Sequence, residues 1–356
     1  MKTDTLLLHA LRAPAAPLVL APAQWDRLIR AARKAGLLAR LHHVLDAAGL
    51  LATVPAQPLA HLAWADLTAR GHAHRVQGEV AAIRAALPDE ELILLKGAAY
   101  TMAALPAASG RVFSDIDILL PPNRLVEAEN ALMAAGWVAT HHDAYDQRYY
   151  RQWMHELPPL QHIRRDTVID VHHAILPQTM AVHPDPARLR AAAVPVPGHP
   201  ELRMLAPCDM VLHSAAHLFY DGEMTHALRD LSDLDVLLRH FAQQPGFWNR
   251  LTERAGELSL TRVLFYALRY AHRLLHTPVP EAAFAAAAMG SPTPLLLRLM
   301  DHLFLHALQS DLPSRTDRAA PAALMCLYVR ANWLRMPPLM LARHLFHKAF
   351  LSPRPA

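Results

Sequence analysis

Arg111 to Leu120 reads RVFSDIDILL, and its alternation decides the fold. Side chains two positions apart on a strand share a face, so Asp115 and Asp117 project to one side while Ile116, Ile118 and Leu120 anchor the other in a core. The two carboxylates then stand about 6 to 7 Å apart along the chain, a spacing that lets them share hard cations. Asp-x-Asp alone is a weak signal. LSDLDVLL repeats it at Asp233 and Asp235, where helical spacing reads as an ordinary surface.

The setting of the first pair adds weight. Upstream, Glu91 to Gly97 (ELILLKG) is a short apolar strand ending in Lys96-Gly97, followed by a short helix from Ala98 to Leu105. Downstream, Asn123 to Ala135 has helical spacing with Asn123 as its N-cap and Gly136 as its stop. Thr167 to His173 (TVIDVHH) alternates again, with Val168, Asp170 and His172 on one face. If that strand lies beside the first, Asp170 is the third carboxylate of a magnesium site. Mg²⁺ takes oxygen ligands octahedrally and keeps waters and substrate phosphates in its shell, and two such ions clamp the attacking and leaving oxygens. Asp170 is also placed to accept an acceptor hydroxyl's proton. His172 orients Asp170, lines an acceptor pocket or is a solvated strand-end residue, and Arg111 either binds a triphosphate bidentately or pairs with a core-edge carboxylate.

Around this core the chain is helical. Apolar residues from Trp25 to Leu87 recur at helical spacing, with a long helix from about Leu59 to Leu87 stopped by Pro88 and Asp89. After Pro207, helices are expected over Asp209–Phe219, Thr225–His240, Phe247–Glu257, Leu260–His276, Leu295–Leu308 and Ala322–Phe350. Residues 191–200 and 311–321 read as connectors, and the tail from Ser352 as mobile. The expectation is an α+β fold: a small mixed sheet with flanking helices inside a mostly helical chain. It divides into a helical region 1–88, a core 89–200 and a helical domain 201–356.

Three motifs, LKG at Leu95–Gly97, R-x-x-S-D-I-D at Arg111–Asp117 and I-D-V-H at Ile169–His172, resemble the uncharacterised nucleotidyltransferases related to the DNA polymerase beta superfamily. The likeness runs from about Leu92 to His173 and into PCDMVLHSAAHLF and LRDLSDLDVLL, about two-thirds of the chain. It implies Asp115, Asp117 and Asp170 as metal ligands, and Lys96-Gly97 as a phosphate-facing turn, assisted by Arg111 and Ser114. The implied reaction moves a nucleoside monophosphate from an NTP such as ATP to an acceptor, with release of pyrophosphate. Wider superfamily members carry Gly-Ser or Gly-Gly at the turn, whereas Gly97 here is followed by Ala98. Helix N-terminal amides and the point charge of Lys96 can serve instead of the serine.

Composition narrows the alternatives. Among 356 residues, Lys plus Arg exceeds Asp plus Glu by 35 − 31 = 4, without a basic run, so nucleic acid is not indicated. Tyr145, Tyr149, Tyr150 and Trp153, mixed with Arg148 and Arg151, form the one dense aromatic group and read as an acceptor loop. Two cysteines, Cys208 and Cys326, give no disulfide framework, which favours a reducing compartment and a cytoplasmic protein. Met1 to Ala16 lacks a signal-peptide pattern, and no apolar stretch of about 18 residues spans a membrane. Leu334 to Phe350 packs as a terminal helix or lies on an anionic membrane surface. Two other functions compete: a non-catalytic nucleotide-binding scaffold, and a metal-dependent hydrolase on the i+4 face Asp209, His213, His217 and Asp221. A softer reading turns His217, Arg229 and Asp230 toward the catalytic cleft. The acceptor stays open among small sugars or antibiotics, lipid-linked saccharides, nucleic-acid ends and protein side chains, as do base preference and oligomeric state.

Overall fold

The computed structural model describes residues 6–12, 19–113, 115–140, 144–309, 319–337 and 339–343. Four helices open the chain: α1 (Leu6–Arg12), α2 (Pro22–Lys34), α3 (Leu38–Ala47) and α4 (Ala56–Ala86). The last has 31 residues, about 47 Å at 1.5 Å per residue. Its buried stripe, Leu62, Ala69, Val76, Val80 and Ile83, steps by seven, four and three, which keeps one face on the core.

The sheet follows: β1 (Ile93–Leu94), α5 (Lys96–Met102), β2 (Asp115–Leu119), α6 (Leu125–Ala134), β3 (Trp137–Ala139), α7 (Ala144–Trp153), β4 (Leu160–His162), β5 (Val168–His172), α8 (Pro186–Ala192), β6 (Val194–Val196) and β7 (His199–Met204). Its seven strands lie in the order β3-β4-β5-β2-β1-β7-β6. β2 runs parallel to β5 and antiparallel to β1, so the sheet is mixed, as the sequence led us to expect. Ile116, Ile118, Ile169 and Val171 are buried, which leaves the aspartates of β2 and β5 on the opposite face.

Two local expectations are corrected. Asn123 does not cap α6: it lies in a 3-10 turn, Pro122–Arg124, and Arg124 is the N-cap, with no side-chain cap bond. Residues 191–200 are not a bare connector, because β6 and β7 form a hairpin at the sheet edge, turning at Gly198 with φ +79°. An edge strand tolerates Pro195, whose missing N–H costs no interior ladder bond.

Helices α9 (Pro207–Tyr220), α10 (Ala227–Phe241), α11 (Phe247–Glu257), α12 (Thr261–Leu275), α13 (Glu281–Ala287), α14 (Pro294–Ala307) and α15 (Ala320–Arg335) complete the described fold. α12 is threaded by Tyr266 and Tyr270, whose rings contact Phe219 of α9 and Phe304 of α14. One buried apolar cluster joins Leu28 and Leu41 to Ile118 and Val171 of the sheet and Leu234 of α10. The helical ends therefore close directly on the sheet. Among the described residues no helix is long and apolar enough to cross a membrane. The tail from Ser352 and most of 311–321 lie outside the described residues, as does the end of the last expected helix.

Candidate active site

In the parallel pairing of β2 with β5, Asp117 stands opposite Asp170 and Asp115 opposite Val168. This register brings Asp115, Asp117 and Asp170 together, with a carboxylate oxygen of each lying within 4.8 Å of those of the other two. Asp117 is 4% exposed. Asp170 Oδ1 is buried and has no hydrogen-bond partner. Burial, then the charges of Asp117 and Glu156, push the Asp170 carboxyl up to about 7. A buried acceptor without a donor, among like charges, is what a hard cation would satisfy. The three carboxylates form a group that could hold a divalent cation.

Two groups counter the charge of Asp117. Lys96 Nζ lies 3.2 Å from Oδ1, and His172 Nε2 lies 2.9 Å from the same oxygen. Burial would raise the Asp117 carboxyl, but Lys96 and then the His172 hydrogen bond hold it well below the usual carboxylate range. His172 also faces Glu156, with Nδ1 3.2 Å from Oε2. Burial would discharge His172, and Glu156 and Asp117 instead raise its pKa. Burial raises the Glu156 carboxyl. Sequence reasoning passed over Glu156: it sits outside any alternating segment and reaches His172 through an isolated antiparallel bridge.

Lys96 opens α5 at φ 39°, an unusual backbone for a residue with a side chain. Gly97 follows because nothing larger fits, since a Cβ there would lie 2.0 Å from the Phe113 ring. Lys96, Gly97, Arg111, Asp115 and Asp117 all line one cleft of about 790 Å³, within the range of small-molecule sites. Ser114 lies outside the described residues.

The helical ends supply the other walls. Arg33, Ala39 and His72 come from the first segment, and Ser214, His217, Arg229 and Asp230 from the last. His217, Arg229 and Asp230 thus face the cleft, as the softer reading had it. Arg111 sets Nε 2.8 Å from Asp233 Oδ2 and Nη2 3.3 Å from Asp230 Oδ1. Its carboxylate pairing is therefore present at the cleft wall itself. Asp233 and Asp235 are not surface residues: they are 4% and 7% exposed, Asp233 paired with Arg40 and Arg111, and Asp235 with Arg239 and Thr277.

The proposed histidine face on α9 does not assemble. Asp209, 1% exposed, is held by Arg254 through two bonds of 2.7 and 2.9 Å, and Asp221 pairs with Arg335. His213 is buried, and His217 lines the cleft with Nε2 3.7 Å from Asp221 Oδ2, a pairing that survives along the face. Among the described residues, the groups close enough to hold a cation are the aspartate triad and His155, Glu156 and His172. The aromatic group also differs from expectation. It belongs to helix α7 rather than a loop; Tyr149 packs edge-on against Tyr150 and Trp153, Arg151 pairs with Glu129, and none of the four lines the cleft. The side chains of Tyr145 and Arg148 lie outside the described residues.

Comparison with known proteins bears on this geometry in one respect. Residues 21–276 match the sequence profile of a family described as uncharacterised nucleotidyltransferase. No curated protein and no solved structure matches the chain.

Proposed function

Because the chain belongs to the uncharacterised nucleotidyltransferase family, we propose that it moves a nucleoside monophosphate from an NTP to a hydroxyl or phosphate acceptor, using Mg²⁺ at Asp115, Asp117 and Asp170. The observation that carries this reading is the register of β2 on β5, which sets Asp170 beside the two carboxylates that line the cleft, Asp115 and Asp117, and leaves a buried Asp170 oxygen without a donor.

When bound there, the divalent cation supplies charge neutralisation for the triphosphate and for the departing pyrophosphate. The chain's own groups do the rest. Lys96, with Gly97 behind it, presents an ammonium to the phosphates beside Asp117. Arg111 and Arg229 add guanidinium charge on the facing wall, where Asp230 and Asp233 fix their positions. Asp170 takes the acceptor's proton as the acceptor oxygen bonds to the α-phosphorus. The bond from that phosphorus to the bridging oxygen breaks, and pyrophosphate leaves.

The test is Mg²⁺-dependent binding of the four NTPs, read by thermal shift and calorimetry, in the wild type and in Asp115→Asn/Asp117→Asn. Binding that the double variant loses supports the reading and justifies an acceptor screen. Binding that the double variant retains unchanged, or none with any divalent ion, overturns it.

A further inference from the structure

A polar chain runs from the carboxylate triad into the protein, away from the cleft. His172 is 2% exposed, sits on β5 two residues beyond Asp170, and touches Asp117 through one ring nitrogen and Glu156 through the other. Burying an imidazole and a carboxylate inside a sheet is costly unless each serves a partner. An apolar residue at position 172 would fill the space at lower cost.

The contacts have a direction. Lys96 Nζ and His172 Nε2 both fall on Oδ1 of Asp117. Held there from two sides, the carboxylate is fixed in rotation, and Oδ2 is the oxygen left for a cation. Glu156 in turn steadies the imidazole by charge rather than by a hydrogen bond: its Oε2 lies 3.2 Å from Nδ1, which completes no hydrogen bond, and the bridge between residues 156 and 172 ties the two backbones together. We propose that His172 and Glu156 are positioning residues which act through Asp117, setting the oxygen it offers to the cation shared with Asp115 and Asp170. The proposal rests on the metal site argued under the proposed function. Partners of this kind behind metal ligands change affinity about 10- to 100-fold when removed.

The test is titration with Mn²⁺ alone, read by electron paramagnetic resonance, on the full chain. His172→Leu and Glu156→Ala should each weaken binding about 10- to 100-fold. His172→Gln, which keeps a donor for Oδ1, should recover most of the loss. Glu156→Ala should add little in the His172→Leu background, since it works through the ring. A merely structural role would lower the melting temperature of these variants while Mn²⁺ affinity stayed at the wild-type value, and that result overturns the proposal. Should His172→Leu not fold, Glu156→Ala against Glu156→Asp, which keeps a negative charge for the ring, reads the same coupling: greater weakening by alanine than by aspartate supports it, and equal affinities sink it. A wild type that binds no Mn²⁺ removes the metal site itself, a failure distinct from one in which wild type and His172→Leu bind alike. A transition metal retained by Asp117→Asn and lost from Glu156→Ala would also overturn the proposal, because it would make His155, Glu156 and His172 ligands in their own right.

Discussion

Arg40 of α3 and Asp233 of α10, 193 residues apart, meet at 2.9 Å with side chains 3% and 5% exposed. Arg40 also donates to the carbonyl of Ala107 at 2.6 Å. From Asp233 the charges continue to Arg111, then Asp230, then Arg229. This alternating row joins the N-terminal helices, the loop before β2 and the helix that walls the cleft. Its functional consequence is placement of Arg111, whose position depends on residues at both ends of the chain.

Breaking a buried pair leaves an uncompensated charge and costs about 3–5 kcal/mol, whereas replacing both partners by apolar groups is much milder. Arg40→Leu and Asp233→Leu should therefore each lower the unfolding free energy by about that amount, and the double variant by clearly less than their sum. Urea denaturation of all three measures it. Single variants within about 1 kcal/mol of wild type would show that the row contributes little to the fold.

Gly97 is fixed by contact with a side chain rather than by its own backbone angles. An added Cβ would meet Phe113 Cδ1 at 2.0 Å and Cε1 at 2.2 Å. Gly97→Ala should cost about 1–3 kcal/mol through overpacking and weaken nucleotide binding by displacing Phe113 at the cleft. Phe113→Ala in the same chain should restore much of the stability. A double-mutant cycle with no coupling would refute the contact.

Asp170 couples stability to pH in the direction opposite to a salt-bridged carboxylate. Its folded pKa, about 7, is above the ordinary aspartate value of about 3.9. The folded chain thus keeps a proton that the unfolded chain gives up, and stability falls as pH rises through that window, with the full deficit present above about 7. Metal-free Asp170→Asn should accordingly be more stable than wild type at pH 8, by roughly 2 kcal/mol or more. Saturating Mg²⁺ should reverse the order by stabilising only the wild type. Melting temperatures of both proteins at pH 8, with and without Mg²⁺, decide it; a less stable metal-free variant would contradict the shifted carboxyl.

The parts of this protein legible in its sequence are the periodic ones. Alternation at Asp115–Leu119 and Val168–His172 gave both strands, and with them the carboxylates, because a period of two dictates which side chains share a face. The Arg40–Asp233 pair carried no such mark, since nothing local relates residues 193 positions apart. The α9 face shows the limit of a spacing argument. Successive i+4 steps drift by about 40° each at 3.6 residues per turn, so Asp209 and Asp221 end on different sides. One meets Arg254 and the other Arg335, while the histidines between them go to the core and the cleft.

His213 should set part of the acid limit of stability. It is 3% exposed, and burial, then the charge of Lys96 and that of His172, push its pKa well below the ordinary histidine value; Asp117 opposes the shift and His217 adds to it. The folded state holds the ring neutral, whereas the unfolded chain protonates it near pH 6.5. Stability from this residue is therefore present above about pH 6.5 and falls as pH drops below it, by up to about 1.4 kcal/mol per unit. Other buried histidines, His155 among them, contribute in the same sense, so the wild-type curve alone does not isolate His213. The difference between wild type and His213→Leu does. Urea midpoints from pH 8 to pH 5 should move in favour of the leucine variant by about 1 kcal/mol or more on the acid side, whatever the offset between the two proteins at pH 8. Parallel curves would mean that His213 accepts its proton in the folded state as readily as in the unfolded one, and that it stands in a wetter place than the α9 packing gives it.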